Sequence, residues 1–358
     1  MNTKNNTKGR GAQLFVPNKF SELNHEFRTD FLEFCRLEGE TAYANNTKYI
    51  PIFPKTIVNK VTSVDVGMKY SLNPYQGCEH GCIYCYARNT HEFWGYGAGL
   101  DFEQQILVKK EAPKLLENKI KSKNWRAETI VLSGNTDCYQ PAEREYGITR
   151  NCLEVFLKYR HPVGIITKNA MILRDLDILK KLGKNNLIAI NISITTLSED
   201  TRRVLEPRTA TIRKRLETIR VLAQNGIPVN AMLSPIIPGI NSHEIMSLAK
   251  ATSENGALSF AIMLVRLNGA IGGIFTDWIN KTMPDKATKV LNLIKACHGG
   301  SLNDSRIGVR GKGEGIIAQQ INDLSHLAKR TYFKGKTFPK LNKELHAQYK
   351  NGQLNLFQ

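Results

Sequence analysis

The chain has 358 residues, of which 41% are hydrophobic and 23% charged, the balance of a globular protein and not of a disordered or collagen-like one. Lys and Arg number 50 against 32 Asp and Glu, a net charge of +18 that favours an anionic partner such as nucleic acid, with a solvated basic surface as the alternative. No run of about 18 uncharged apolar residues occurs and the N-terminus lacks an apolar signal core, so no membrane segment is expected and the expected location is cytoplasmic.

Residues 1–65 read as an N-terminal extension packed onto the main domain. They start polar, then carry Phe15, Phe20, Phe27, Phe31, Leu32 and Phe34 in a candidate helical segment. Pro51 and Pro54 predict that 50–65 is irregular or edge-like. From residue 66 to 275 a regular alternation appears. Apolar runs at 70–76, 129–133, 163–167, 187–193, 228–233 and 259–265 predict six strands. Between them, apolar residues spaced by three and four predict helices over 109–123, 145–159, 173–182, 213–225 and 242–255, with Gly183, Gly226 and Gly256 as stops. Six βα units imply an α/β fold with a parallel sheet and right-handed crossovers, open or curled into a partial barrel.

Residues 276–358 form a C-terminal, helical and basic addition. It holds an apolar stretch at 288–296, a glycine-rich piece at 308–315 and a helix at 316–329. From Lys329 onward, seven Lys and Arg stand against one acid, Glu344, with Tyr332, Phe333, Phe338 and Tyr349 interleaved. That mixture suits a nucleic-acid surface or, alternatively, a solvated helix with core-facing aromatics.

In parallel α/β folds of this kind, chemistry sits at the C-terminal ends of the strands. The unusual residues fall there: Ser133-Gly134-Asn135-Thr136-Asp137 after the second strand, Thr167-Lys168-Asn169 after the third, Ser193 ending the fourth, and Ser234-Pro235 after the fifth. After the first strand comes Asn73-Pro74-Tyr75-Gln76-Gly77-Cys78-Glu79-His80-Gly81-Cys82-Ile83-Tyr84-Cys85-Tyr86. Three of the seven cysteines thus lie in a C-x3-C-x2-C pattern, framed by Gly77 and Gly81 so that the backbone can wrap closely. An odd count argues against a disulfide framework, and Cys35, Cys138, Cys152 and Cys297 read as isolated thiols, mostly buried. Three thiols on one loop suit an iron–sulfur centre with one iron left without a protein ligand. The competitor is zinc with His80 or His91 as fourth ligand, although no second C-x2-C knuckle is present.

The loop resembles the signature of the radical S-adenosylmethionine (radical SAM) superfamily, C-x3-C-x-aromatic-C, matched by Cys78, Cys82, Tyr84 and Cys85. The words Ser71 to Arg88, His91-Glu92, Gly99 to Glu103, Leu205 to Arg208 and Lys8 to Ala12 are similar to the spore photoproduct lyase-like, or DNA repair photolyase-like, branch. The resemblance implies a partial (β/α)6 barrel and a [4Fe–4S] cluster on Cys78, Cys82 and Cys85. It further implies S-adenosylmethionine chelated to the open iron and cleaved to methionine and a 5′-deoxyadenosyl radical that abstracts hydrogen from a substrate. An electron donor such as flavodoxin or ferredoxin would serve it.

The residues supply matching partners. Lys168 and Arg208 can meet the cofactor carboxylate, Arg208 alternatively pairing with Glu206 or Glu217. Ser133, Asn135 and Thr136 can meet the amine, Ser193 the ribose and Tyr84 the adenine, while Asp137 is a candidate helix cap. Tyr86 matches a tyrosine near the radical path of the lyases. The hydrogen-donating cysteine of that family corresponds to Gly134, and the nearest thiol is Cys138, which leaves photoproduct lyase chemistry itself in question. A DNA lesion is the first expected substrate. RNA or a protein is the alternative, and a non-enzymatic iron–sulfur or zinc protein that binds nucleic acid is the reading from another class.

Overall fold

A computed structural model of the chain describes residues 9–20 and 46–350. Phe27, Phe31, Leu32, Phe34 and Cys35 therefore lie outside the described residues; the part at 9–20 is turn and coil and not helix.

Two short strands, β1 (Lys48–Pro51) and β2 (Val58–Lys60), come from the proline-marked stretch. The first predicted strand is two pieces, β3 (Tyr70–Leu72) and β4 (Tyr75–Gln76), and is followed by the cysteine loop, β5 (Gln105–Val108) and helix α1 (Ala112–Lys121). The order then runs β6 (Ile130–Leu132), α2 (Ile148–Lys158), β7 (Val163–Thr167), α3 (Leu176–Lys184), β8 (Ile188–Ser193), α4 (Glu199–Leu205), α5 (Ile212–Gln224), β9 (Val229–Ile236), α6 (Ile245–Glu254) and β10 (Ser259–Leu264). Four helices complete the described chain: α7 (Ala270–Thr282), α8 (Pro284–Ala296), α9 (Gly315–Tyr332) and α10 (Glu344–Lys350). α7 was not predicted, and it runs through residue 275.

The main sheet has the order β10-β9-β8-β7-β6-β3-β2, parallel except for β2, which pairs antiparallel with β3. It holds all six expected strands in sequence, in a mixed α/β fold whose sheet is open between the edges β10 and β2. A second sheet, β1-β5-β4, flanks the cysteine loop. Helical periodicity is visible in what each helix buries: Ala112, Leu116 and Ile120 on α1, and Ile148, Cys152, Leu153 and Phe156 on α2. Ser198 and Thr211 cap α4 and α5 by accepting from Thr201 N and Lys214 N.

Three local expectations are corrected. Gly183 does not stop a helix; α3 runs to Lys184 and Asn186 takes the left-handed turn at φ 52°. The helix expected over 145–159 is split by Gly147, at φ 61°. Ser234 and Pro235 lie inside β9 and not beyond it.

The basic tail packs inward. Phe333 stacks on Phe260 at 5.2 Å, Tyr349 on Tyr159 at 5.5 Å, and Lys336 and Lys350 donate to carbonyls at the ends of α6 and α1, including Ala257 O and Ser122 O. These aromatics are core-facing, and do not form a stacking surface. No helix among the described residues is long and apolar enough to cross a membrane.

Candidate active site at the strand ends

The cysteine loop lies between two clamps. On its outer side, fully buried Arg88 donates from Nε to Cys82 O at 3.1 Å, from Nη1 to Gly99 O at 3.0 Å, and from Nη2 to Glu103 Oε1 at 2.5 Å. Glu103 in turn accepts from the backbone N–H groups of Gly11 and Ala12, at 3.0 and 2.8 Å. The fit is close: a Cβ on Gly11 would lie 1.7 Å from Gly81 O, and one on Gly81 would lie 2.7 Å from Glu103 Oε2. Three separate sequence words, around Gly11, Arg88 and Glu103, thus converge on one buried ion pair whose job is to hold the Cys82 carbonyl.

On the inner side, the end of α4 and the residues after it pair with the loop backbone, Ile83 N donating to Leu205 O at 3.0 Å and Arg208 N to His80 O at 3.3 Å. Glu206, fully buried, accepts from the Tyr84 hydroxyl, from Thr195 Oγ1 at 2.5 Å and from Arg215 Nη2 at 2.6 Å. Burial alone would raise this carboxyl; Arg215, Lys168 and the two hydroxyls instead bring it down to about 2. Asp137 is a second hub. It accepts from Thr167 Oγ1, Lys168 N and Tyr139 N at 2.7–2.9 Å, and His80 Nδ1 lies 3.3 Å from it, so it ties the end of β7 to the cysteine loop. It is not a simple helix cap.

Among the predicted site residues, Cys78, Cys82, Tyr84 and Lys168 come together. Cys78 and Cys82 are buried and Cys85 is half-buried. Lys168 Nζ sits 5.9 Å from the Tyr84 ring centroid. Burial opposes its charge, yet Cys82 and Glu206 hold its pKa above the ordinary lysine value, and it makes no side-chain hydrogen bond among the described residues. Burial also pushes the Cys78 thiol up and the Cys82 thiol up to about 12, so thiolate ligation there needs a cationic centre to offset desolvation. Among the described residues no three His, Cys, Asp or Glu converge closely enough for one metal ion. His80 is engaged by Asp137, and His91 packs behind Gly77 against Tyr96 and Phe102. The donor set that remains is three thiols on one tightly cradled loop, which fits an iron–sulfur cluster.

Other predicted residues are already committed. Ser133 Oγ accepts from Cys138 N at 2.9 Å, Thr136 Oγ1 donates to Tyr75 O at 2.8 Å, and the Asn135 and Thr136 N–H groups both point at Asn73 Oδ1. Ser193 is buried at the end of β8, where its carbonyl accepts from Arg215 Nη1. Arg208 pairs with neither Glu206 nor Glu217; its guanidinium lies 3.7 Å from Glu79. Cys138 is wholly buried in the main hydrophobic core, and does not line the mouth. Tyr86 is half exposed, and its hydroxyl donates to Gly134 O. Gly134 itself sits at φ 119°, a conformation that a side chain would strain.

The Radical SAM superfamily model matches residues 72–251, which contain the cysteine loop and the strand-end residues just described. The chain belongs to the radical SAM superfamily. It is accordingly an enzyme, and membership implies a [4Fe–4S] cluster and S-adenosylmethionine. An uncharacterized protein of Mycobacterium tuberculosis (strain ATCC 25618 / H37Rv) is 28% identical over 244 residues, 67% of this chain and 72% of the relative. An uncharacterized protein of Methanocaldococcus jannaschii is 35% identical over 175 residues, 49% of this chain and 62% of the relative. In fold, the chain is similar to a spore photoproduct lyase variant solved with AdoMet and dinucleoside spore photoproduct, with a TM-score of 0.60 at 14% identity over 87% of this chain and 94% of that one.

Sequence reasoning gives Arg88, Glu103 and Asn73 no role, and Glu206 only that of an alternative partner for Arg208. All four sit inside the quoted motif words, which was the available signal.

Proposed function

We propose that this radical SAM enzyme acts on a nucleic acid, with Cys78, Cys82 and Cys85 holding the cluster. The observation that carries the reading is the three-thiol loop with Lys168 beside Cys82 at the C-terminal ends of the strands. With one iron lacking a protein ligand, the cluster and S-adenosylmethionine would supply reductive cleavage to a 5′-deoxyadenosyl radical. The chain's own part is to hold and exclude. Lys168 offers a cation for the methionyl carboxylate, and Arg208 a second, more exposed one. The Asn135 side chain remains for the amine, since the hydroxyls of Ser133 and Thr136 are used in shaping their turn; Ser193 and Tyr84 line the adenosine side.

A DNA lesion remains the first substrate class, supported by the net charge and by the fold shared with spore photoproduct lyase. The backbone of Gly134, which a side chain would strain, and the core position of Cys138 argue for a reaction without a thiol hydrogen donor at either place. Tyr86 is the side chain presented to the substrate. The test is anaerobic reconstitution, reduction and addition of S-adenosylmethionine, with 5′-deoxyadenosine as readout, and with irradiated DNA as the added substrate. Turnover that rises with irradiated DNA is expected; an intact cluster that yields no 5′-deoxyadenosine overturns the reading. Cys82→Ala is expected to lose both the iron and the cleavage, and four irons per chain retained in that variant would contradict the ligand assignment.

A further inference from the structure

The main sheet is open between β10 and β2, and the glycine-rich piece singled out in the sequence lies across that opening. Leu264 N at the end of β10 donates to Gly311 O at 3.0 Å, while Gly308 N and Arg310 Nε donate to Asp65 beside β2, at 3.2 and 2.5 Å. This turn links the end of β10 to the connection between β2 and β3.

Arg266 stands at the same rim, two residues beyond β10. Its backbone neighbours are pinned: Val265 N donates to Ile236 O at 2.9 Å and Leu267 N to Leu302 O at 3.0 Å, and the Val265 and Leu267 side chains are buried. The Arg266 guanidinium is half-buried and makes no hydrogen bond or ion pair among the described residues. The groups whose charge it feels are Arg310, Asp65, Tyr86 and Asp304. Both carboxylates are taken, Asp65 by Arg310 at 2.5 Å and Asp304 by Arg306 at 2.6 Å. Burial and the charge of Arg310 depress the Arg266 pKa, so the group is held there at a cost. Of those groups Tyr86 presents an exposed ring, anchored through its hydroxyl to Gly134 O.

We propose that Arg266 is a phosphate-binding subsite at this rim, taking one phosphodiester of a single-stranded or locally opened nucleic acid while Tyr86 offers its ring to the adjoining base. A guanidinium matches a phosphate in bidentate fashion, and a cation next to an exposed aromatic is the pairing that single-strand sites use. The inference rests on the nucleic-acid reading above, and it moves the binding surface from the basic tail to the rim of the barrel.

The test uses cluster-reconstituted protein and a fluorescein-labelled strand of about ten deoxynucleotides, followed by anisotropy across a salt series. Arg266→Gln is expected to weaken binding about tenfold or more and to lower the salt slope by about 0.7, one phosphate's worth for a single strand. Arg220→Gln, which removes an exposed charge on α5 paired with Glu217, is expected to change it little. A strand with neutral methylphosphonate linkages should bind wild type and Arg266→Gln alike. Should Arg266→Gln fail to fold by circular dichroism, Arg266→Lys carries the test, with the salt slope kept and the affinity reduced. Equal binding by wild type and the Arg266 variants, or an equal loss in Arg220→Gln, overturns the subsite alone. Wild type that binds no strand overturns the nucleic-acid reading together with it.

Discussion

Four of the cations around the cysteine loop and the strand ends divide into two pairs. Arg88 and Arg215 are fully buried and each meets a buried carboxylate, Glu103 at 2.5 Å and Glu206 at 2.6 Å. Lys168 and Arg266 are half-buried at strand ends, and neither makes a side-chain hydrogen bond or ion pair among the described residues. The first pair holds backbone: Arg88 the Cys82 carbonyl, Arg215 the Ser193 and Ala210 carbonyls. The second pair holds nothing of the protein, and so is available to a ligand. Charge saturation, and not proximity to the loop, separates support from chemistry here.

Substituting across that divide tests it. Arg88→Met leaves the Glu103 carboxylate buried without its partner, and should lower stability by about 3–5 kcal/mol, read as a shift in the urea midpoint. A midpoint unchanged within about 1 kcal/mol would break the distinction. Lys168→Met should behave in the opposite manner, with stability within about 1 kcal/mol of wild type but S-adenosylmethionine bound roughly 10- to 100-fold more weakly by equilibrium dialysis. If it unfolds as Arg88→Met does, Lys168 belongs with the supports.

A third effect, spread over pH, concerns a buried group far from the loop. His161 accepts from Trp125 Nε1 at 3.0 Å through Nε2, and Nδ1 faces Pro162 O, the arrangement of a neutral ring. Burial, and then His346, lower its pKa to about 3 from an ordinary 6.5. Because the folded pKa is depressed, its stabilising contribution is complete above about pH 6.5 and is lost as pH falls toward 3, at up to about 1.4 kcal/mol per pH unit. Thermal melts between pH 7 and 4 should show this slope, flattened in His161→Gln; an unflattened slope would assign the titration to another group.

The strands and the loop were legible because their signals are local. A parallel strand buried on both faces reads as a continuous apolar run, as in Val163–Thr167. C-x3-C-x2-C needs no knowledge of the rest of the chain. Pairings across crossovers were not legible: nothing in their spacing joins Arg88 to Glu103 or directs Arg208 to Glu79 and not to Glu206. Hydroxyls were over-read for the same reason. Ser133 and Thr136 look free in sequence, but the turn after β6 consumes them. The tail left two readings open, since a run of lysines and aromatics suits a nucleic-acid surface as well as core-facing rings, and Phe333 and Tyr349 follow the second.

The contact of Gly11 against Gly81 has a further consequence. The segment that identifies the family begins at residue 72, but two donors to Glu103 come from residues 11 and 12, some sixty positions earlier. A fragment trimmed to the recognisable part would carry Cys78, Cys82 and Cys85 and leave their scaffold open on one side. What marks the lineage is therefore shorter than what must be inherited together.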